Sequence, residues 1–233
     1  MSEERVEIAG GKAVLYCGNC LEILPEFETE SVSAVVTDPP YGMNYDSGWS
    51  GSSVHLDGTR LCLRMYRQVL PDIARIMRND SHLYWFTRWD VWPDAYDAIA
   101  PHVPVKNALI WDKGHPGMGN LEVYGYSFEM IVFASKGHRK LNGGRPSSIF
   151  SGNSVPVSQR KHVTEKPIWL IKAFVEKSTD DNETILDPFM GSGTTGVACM
   201  QLGRKFIGVE IEPKYFDIAV RRITAAAAQL TMF

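Results

Sequence analysis

The chain has 233 residues, of which 44% are hydrophobic and 22% charged, and its formal net charge is −3. This length and apolar content predict a single α/β domain, residues 1–233, with a full hydrophobic core. The sequence shows no N-terminal signal segment and no apolar run long enough to span a bilayer. We therefore expect a cytoplasmic protein and exclude a membrane protein.

Short apolar runs alternate with amphipathic stretches along the chain, which is typical of βαβ units around a parallel sheet. We predict an α/β fold with a doubly wound, mostly parallel, seven-stranded sheet. The predicted strands are 13–17, 32–37, 82–87, 105–111, 128–134, 184–187 and 206–210. The predicted helices are 60–78, 92–100, 165–177, 194–202 and 213–229.

The predicted strand 32–37 runs directly into Asp38-Pro-Pro-Tyr41. Proline fixes φ and has no N–H, so consecutive prolines hold the backbone rigid and leave carbonyl oxygens without a local donor. The turn presents a carboxylate, a carbonyl acceptor and a flat ring at the carboxyl end of a strand, where open α/β sheets bind ligands. This constellation suits a planar group that carries an amine, because the ring can stack and the oxygens can accept N–H bonds.

A second motif, 184–195, predicts a buried strand, a glycine-rich turn and the start of a helix. Gly191 and Gly193 allow a ligand to approach the backbone, and the helix N-terminus at Thr194 favours an anionic group such as a carboxylate. The spacing is neither that of a dinucleotide fingerprint nor that of a P-loop. One strand later, Glu210 stands where the acid that binds ribose hydroxyls lies in nucleoside-binding folds.

The four cysteines do not predict a disulfide framework. Cys17 and Cys20 have the spacing of a redox pair or of half a zinc site, but Cys62 and Cys199 form no second pair. The six histidines show no ligand spacing either. We therefore expect packing roles for the cysteines and no metal site.

The charge is concentrated in one part of the chain. Seven cations and one anion lie between Lys136 and Lys166, which gives this stretch a charge of +6 although the chain is acidic overall. Such segregation is the electrostatic signature of phosphate binding, and a solvated basic loop is the alternative. The candidate DNA-binding residues are Arg139, Lys140, Arg145, Arg160 and Lys161.

The two motifs together, in this order, resemble the amino-methyltransferases of DNA that use S-adenosylmethionine, in particular the beta group with permuted motif order. The resemblance extends from about residue 14 to about residue 223. It implies that 136–161 is a short target-recognition insert. It also implies a cofactor site formed by residues of both motifs and of two further segments: Asn19, Asp38, Thr164, Lys166, Asp187, Phe189, Gly191, Gly193, Thr194 and Glu210.

Two of those cofactor residues carry specific implications. Asn19 stands where the family has an Asp near the cofactor's adenine. Lys166 lies in a segment similar to the family's His-Pro-Thr-Gln-Lys-Pro, in which Val163 and Glu165 are departures, and it is expected to pair with the methionine carboxylate.

The resemblance implies catalysis by Asp38, Pro39, Pro40 and Tyr41 on a base flipped out of the duplex. Tyr41 would stack on the base, while the Asp38 carboxylate and the Pro39 carbonyl would accept the two N–H bonds of its amine. Asp rather than Ser at position 38 favours adenine N6 over cytosine N4. Cytosine-N4 methylation, a catalytically silent DNA-binding module on the same fold, and methylation of RNA or of a protein amide are the alternatives.

Two further features predict partners. The C-terminal tail Gln229-Leu-Thr-Met-Phe233 resembles the short peptide that binds bacterial sliding clamps, although an apolar tail packed on its own domain is the alternative. The short recognition insert makes a homodimer reasonable. The segment 44–53 follows the catalytic turn and could close over a base, with Trp49 as a stacking or wedge residue, and a merely disordered loop is the alternative. We expect a bacterial or phage-encoded enzyme, solitary or part of a restriction-modification system, that associates with the nucleoid.

Overall fold

The computed structural model describes residues 4–40, 58–115, 121–122, 124–154, 156 and 165–230, with the backbone alone at 58–61 and 230. Its strands are β1 (Glu4–Ile8), β2 (Ala13–Cys17), β3 (Val32–Thr37), β4 (Met77–Thr87), β5 (Val105–Asp112), β6 (Phe128–Lys136), β7 (Ile149–Ser151), β8 (Thr184–Asp187) and β9 (Lys205–Glu210). Its helices are α1 (Cys20–Ile23), α2 (Gly58–Ile76), α3 (Trp92–Ile99), α4 (Ile168–Ser178), α5 (Thr194–Gln201) and α6 (Pro213–Leu230).

All the strands form one sheet in the order β1-β2-β9-β8-β3-β4-β6-β5-β7. Neighbouring strands from β2 to β4 are parallel, and β6 runs antiparallel to both β4 and β5. The predicted α/β fold and its seven strands are confirmed. The described part of the sheet has nine strands rather than seven, because β1 pairs antiparallel with β2 at one edge and β7 pairs with β5 at the other.

The sheet is covered on both faces. Buried side chains of α4, α5 and α6, among them Phe174, Cys199 and Phe216, pack on one face. Buried side chains of α1, α2 and α3, among them Leu70 and Ile99, pack on the other. Every residue of β3 is buried because this strand lies between β8 and β4 with helices above and below it, which explains its continuous apolar sequence.

Helix α4 begins at Ile168, three residues later than predicted, since Pro167 is its N-cap and a residue before proline disfavours helical dihedrals. Lys166 therefore lies in the connection ahead of the helix and not in its first turn.

The four cysteines are free thiols. Within the described residues, no three His, Cys, Asp or Glu side chains are placed to hold a metal ion. No helix in the described ranges is both long enough and apolar enough to cross a membrane.

The strand directions define two edges of the sheet. Strands β2, β3, β4, β8 and β9 all end at one of them, here named the carboxyl edge, and begin at the opposite amino edge. Because β6 runs antiparallel to β4, it starts at the carboxyl edge and ends at the amino edge. This topology brings the carboxyl ends of β3 and β8, which carry the two sequence motifs, to the same edge of the sheet.

Candidate active site

The Asp38 turn extends directly from the carboxyl end of β3. Pro39 is buried and Pro40 exposed. The hydroxyl of Tyr66, a buried residue of α2, donates a hydrogen bond of 2.8 Å to the Pro40 carbonyl. The turn is thus held at its base by the strand and at its far end by a helix. Tyr41 and the loop to residue 57, including Trp49, lie outside the described residues.

A cleft of about 470 Å³, counting its solvent-filled mouth, opens beside this turn. The ends of β3 and β8, the segment before α4 and the start of α5 all contribute to its walls. It brings together six of the residues predicted to bind the cofactor, which are Asp38, Lys166, Asp187, Phe189, Gly191 and Thr194. These residues are up to 156 positions apart in sequence, from Asp38 to Thr194, so the fold assembles the cleft from both motifs.

Asp187 lies at the base of the cleft, and its side chain holds three segments together. Its Oδ1 accepts hydrogen bonds from the Thr37 hydroxyl at 2.8 Å and the Phe189 N–H at 3.2 Å, and its Oδ2 accepts one from the Thr195 hydroxyl at 2.7 Å. Burial raises the pKa of Asp187 to about 7, against the effect of these hydrogen bonds. This geometry favours a role in shaping the turn over direct contact with a cofactor.

The glycine-rich turn is fastened to β9 through Glu210. The N–H of Gly191 donates to Glu210 Oε2 at 2.8 Å, and the N–H of Glu212 donates to Oε1 at 2.8 Å. Burial raises the pKa of Glu210, since three backbone N–H groups only partly offset the loss of solvation. A carboxylate has about four acceptor positions, so Glu210 retains the capacity to accept ribose hydroxyls as predicted.

Lys166 is the cation of the cleft, and only 7% of its side chain is exposed. Its ammonium donates to Asp38 Oδ2 at 2.5 Å and lies 3.1 Å from Glu129 Oε2 and 5.0 Å from the centre of the Phe86 ring. Burial disfavours the charge, but the two carboxylates outweigh it and raise the pKa of Lys166. The lysine predicted to bind a carboxylate of the cofactor is therefore already in contact with the predicted catalytic acid.

Asp38 has an unusual electrostatic environment for an aspartate. Burial raises its pKa to about 6, even though the Lys166 ammonium acts in the opposite direction. The side chain nonetheless keeps 20% of its surface exposed at the cleft. At neutral pH the carboxylate is ionised, poorly solvated and accessible, which is suitable for accepting N–H bonds from a bound ligand.

Sequence reasoning missed a second ion pair at the rim of the cleft. Arg222 of α6 pairs with Glu165 at 2.5 Å and donates to the carbonyl of Ser192 at 2.8 Å. Glu165 is one of the departures from the family pattern, and the structure supplies its reason. The carboxylate, through Arg222, ties the segment that carries Lys166 to the glycine-rich turn.

Asn19 does not line the cleft. It is the N-cap of α1, where its Oδ1 accepts from the Leu21 N–H at 3.1 Å and its amide donates to Glu22 at 3.2 Å. The preceding residue, Gly18, donates its N–H to the Glu210 carbonyl at 2.8 Å. Asn19 therefore lies at the carboxyl edge next to Glu210, but its side-chain oxygen already caps a helix.

Two of the candidate DNA-binding residues lie at the edge of the sheet opposite the catalytic turn. Arg139 and Lys140 follow the end of β6 and lie at the amino edge, opposite Asp38. The Arg139 guanidinium pairs with Glu183 at 2.7 Å and with Asp180 at 3.3 Å, with 14% of its side chain exposed. This burial and pairing argue against a phosphate contact for Arg139, whereas Lys140 is exposed.

The remaining candidate cations are Arg145, Arg160 and Lys161. Arg145 is exposed, on the loop that leads to β7. Strand β7 then runs parallel to β5 and returns the chain to the carboxyl edge at Ser151. Arg160, Lys161 and the predicted cofactor residue Thr164 lie outside the described residues.

The residues of the cleft and the adjoining Glu210 fit S-adenosylmethionine. Lys166 offers a buried ammonium for a carboxylate, and Glu210 offers acceptors for hydroxyls. Gly191 has a φ of +52°, which favours glycine, and no heavy atom lies within 4 Å of the position that a Cβ would take there. A ligand can thus approach the backbone of the turn closely.

Comparisons with known proteins agree with this site. The family model described as DNA methylase, N6_N4_Mtase, matches residues 32–221. The type II methyltransferase M2.LlaDCHI of Lactococcus lactis subsp. cremoris is 28% identical over 250 residues, which cover 92% of this chain and 90% of that protein. DNA adenine methyltransferase YhdJ of Escherichia coli (strain K12) is 24% identical over 249 residues, which cover 90% and 82%.

A solved structure, that of M1.HpyAVI in complex with S-adenosylmethionine, superposes with a TM-score of 0.70 at 25% identity and covers 90% of this chain and 98% of that one. The family model spans both motifs and every segment that lines the cleft. The chain belongs to the N6_N4_Mtase family of DNA methylases and is an S-adenosylmethionine-dependent DNA methyltransferase.

Proposed function

We propose that this enzyme methylates the exocyclic N6 of a flipped-out adenine at a specific site in duplex DNA. The observation that carries the proposal is the Asp38 turn, a poorly solvated carboxylate at the mouth of the cofactor cleft with an anchored proline backbone behind it. Asp rather than Ser at position 38 favours adenine, and the relative YhdJ is an adenine methyltransferase by name.

Some residues at the cleft would bind the cofactor, and others would bind the target base. S-adenosylmethionine, when bound, supplies an electrophilic methyl group on a sulfonium. Lys166 would bind the methionine carboxylate of the cofactor, and Glu210 would accept hydrogen bonds from its ribose hydroxyls. The surface between these two groups would be formed by Phe189, Gly191, Gly193 and Thr194.

Asp38 and the Pro39 carbonyl supply the acceptors for the target amine. The amine of adenine is a poor nucleophile because its lone pair is delocalised into the ring. Two acceptors draw the nitrogen towards tetrahedral geometry and direct its lone pair at the methyl group, an effect of positioning that is worth up to about 7–11 kcal/mol in favourable cases. As nitrogen gains the methyl group it loses one proton, which the ionised Asp38 accepts and passes to water. Tyr41 would stack on the base.

Nucleoside mass spectrometry tests this proposal. Unmethylated duplex DNA of mixed sequence is incubated with S-adenosylmethionine and either the wild-type enzyme or Asp38→Ala, and then digested. We expect N6-methyladenine from the wild type alone. N4-methylcytosine would contradict the base assignment, and the absence of any methylated base would favour another substrate or a silent DNA-binding module.

We also propose that the insert binds DNA phosphates, with Arg145, Arg160 and Lys161 as its candidate cations and Lys140 beside them. The exposure of Arg145 and of Lys140 supports this choice. Replacing Arg145 by Gln should weaken DNA binding and reduce the slope of log affinity against log salt by about 1. An unchanged slope would contradict the assignment.

A sliding clamp is a further proposed partner, through Gln229–Phe233, of which residues 231–233 lie outside the described part of the chain. Deletion of these five residues should abolish co-elution with a bacterial clamp while methyl transfer is retained. Unchanged co-elution would contradict the proposal. We further propose that the enzyme, encoded by a bacterium or a phage, forms a homodimer and associates with the bacterial nucleoid, which sedimentation and nucleoid fractionation would test.

A further inference from the structure

Four charges of alternating sign form a row along the carboxyl edge. Lys113 Nζ lies 2.7 Å from Glu129 Oε1, and Glu129 Oε2 lies 3.1 Å from Lys166 Nζ. Lys166 in turn donates to Asp38 Oδ2 at 2.5 Å. The four residues come from four separate segments, since Lys113 follows β5, Glu129 lies in β6, Lys166 precedes α4 and Asp38 follows β3.

Glu129 is the member of this row whose position most needs an explanation. It is the second residue of a strand that continues into the core at Ile131–Ala134, and burying an acid in such a place is costly unless it is paired. Its Oε2 is buried and receives no hydrogen bond of normal geometry from the residues that the structure describes. The contact with Lys166 is therefore mainly electrostatic, and the ammonium that donates a hydrogen bond to Asp38 is shared between the two carboxylates.

This sharing has a consequence for catalysis. If Asp38 were the sole partner of Lys166, the ammonium would neutralise the carboxylate and compete with the amine of the target base for its oxygens. A second carboxylate on the other side of the ammonium weakens that competition. Resting on the methyl-transfer function proposed above, we propose that Glu129 is a positioning residue that shares Lys166 with Asp38 and so keeps the Asp38 carboxylate able to accept the target amine.

The electrostatics of the row agree with this division of roles. Burial opposes the charge on Glu129, but Lys166 and Lys113 together outweigh it and lower its pKa. At Asp38, burial raises the pKa, Lys166 lowers it, and the negative charge of Glu129 raises it further. The pKa values of the two carboxyl groups are therefore shifted in opposite directions, lowered at Glu129 and raised to about 6 at Asp38.

Carbon-13 NMR of the carboxyl groups tests the sharing directly. The Asp38 signal is assigned by its disappearance in Asp38→Asn, and its titration midpoint is followed in the cofactor-free protein. Glu129→Gln removes the negative charge beside Lys166 and should move the midpoint to lower pH. Lys113→Gln removes a positive charge from the far end of the row and should move it to higher pH. Equal midpoints in the wild type and both variants would overturn the proposal.

Glu183→Gln is the matched control. Glu183 is also a partly buried carboxylate shared by two cations, Arg78 and Arg139, but it lies at the amino edge. This variant should lose stability without moving the Asp38 midpoint. A shift of the Asp38 midpoint in Glu183→Gln as large as that in Glu129→Gln would show a global effect and would overturn the specific role of Glu129.

Kinetics give an independent readout. Glu129→Gln should lower kcat by about 10- to 100-fold, the range usual for a residue that positions another, with a smaller change in the KM for S-adenosylmethionine. The acid limb of its pH–rate profile should move to lower pH, and Glu129→Asp should restore part of kcat. A loss of kcat without any movement of the acid limb would indicate a purely structural role.

The two readouts also separate this inference from the proposed function. The NMR titration does not depend on methyl transfer. If the protein methylates no DNA but the Asp38 midpoint still shifts in opposite directions in Glu129→Gln and Lys113→Gln, the proposed function is contradicted. The sharing of Lys166 by the two carboxylates is then still supported. If Glu129→Gln does not fold, Lys113→Gln still decides the matter. In that case an unchanged midpoint overturns the inference and an upward shift supports it.

Discussion

Asp38 is the residue on which the chemistry depends, and its neighbours act on it in opposite directions. Burial raises its pKa to about 6, and Lys166 lowers it. A carboxylate of this kind is a better proton acceptor than a solvated aspartate and is still ionised at neutral pH. The cost is that the enzyme loses its acceptor in mildly acidic solution.

The pH dependence of methyl transfer should reveal this balance. For the wild type we expect kcat to fall as the pH drops through about 6, where Asp38 takes up a proton. Removing the ammonium in Lys166→Gln should move this limb to higher pH, since the cation that favours the ionised form is lost. The variant should also bind S-adenosylmethionine more weakly, because a carboxylate ligand loses its counter-charge.

Single-turnover rates between pH 5 and 8, measured with saturating cofactor, would check the first expectation, and calorimetry would check the second. A limb that stays in place in Lys166→Gln would mean that Lys166 does not control the charge of Asp38.

The pairing of Lys166 with Asp38 was beyond sequence reasoning, because the two residues are 128 positions apart and belong to different segments. The motifs predicted that both line one cofactor site, and the cleft contains both. Glu129 left a visible signal, an acid within the apolar strand sequence FEMIVFASK. That signal indicates a paired charge, but only the packed structure shows which cations pair with it.

At the scale of an element, the glycine-rich turn between β8 and α5 sets different steric limits at its two left-handed glycines. Gly193 has a φ of +81°, and a Cβ there would lie 2.9 Å from the Ala219 Cβ and 3.1 Å from a side-chain carbon of Ile223. Gly191 has a φ of +52° but open space around the Cβ position. Both positions need a left-handed backbone, and only Gly193 also needs the absence of a side chain.

These two glycines form a matched pair for mutagenesis. Gly191→Ala should lower the free energy of unfolding by about 1–2 kcal/mol, the usual cost of a left-handed conformation for a residue with a Cβ. Gly193→Ala should cost about 1–3 kcal/mol more, since the added methyl group also overpacks against α6. Urea denaturation of the two variants checks the order. Equal losses would show that the turn moves away from α6 easily.

The elements themselves were largely predictable, and the exceptions have physical reasons. Strand β3 was evident from its uninterrupted apolar sequence before Asp38. Strand β1 was missed because its sequence ERVEI carries charges on an exposed edge strand, and β7 because it has only three residues within a polar loop. Short or polar edge strands are defined by the partner strand to which they pair, which a local pattern does not contain.

At the scale of the whole molecule, the two edges of the sheet have different tasks. The carboxyl edge carries the buried charges of the active site, whereas the amino edge carries an ion network in which Arg78 and Arg139 pair with Glu183. Arg139 was assigned to DNA on local charge alone. The acid that binds it lies 44 positions later in the chain, so a local count of charges could not reveal the pair.

The amino-edge network should make stability depend on pH in a specific way. Burial opposes the charge on Glu183, but its hydrogen bonds with Arg139 and the Asp180 N–H lower its pKa from 4.5 to about 2. Because the folded-state pKa is depressed, the stabilisation is complete above pH 4.5 and is lost as the pH falls towards 2.

We expect Glu183→Gln to lower the free energy of unfolding by about 2 kcal/mol at pH 7, since hydrogen bonds to charged groups contribute about 1.5–3 kcal/mol. The difference from the wild type should shrink between pH 4.5 and pH 2, which thermal denaturation in matched buffers would measure. The pKa of Asp187 is raised by burial, so ionisation of this residue lowers the free energy of unfolding as the pH rises. Because Asp187 is present in both the wild type and Glu183→Gln, the difference between the two proteins does not contain this effect. A difference that stays constant down to pH 2 would contradict the assigned ion network.

The central claim is that Asp38 at the carboxyl edge accepts the amine of an adenine while the adjoining cleft holds the methyl donor. The most direct measurement is the single-turnover rate of N6-methyladenine formation from cofactor-loaded enzyme and duplex DNA, for the wild type and for Asp38→Ala. The account predicts a fall of about 10²- to 10⁴-fold in the variant, the usual contribution of general acid–base catalysis, with cofactor still bound. Formation of N6-methyladenine by Asp38→Ala at the wild-type rate would contradict it.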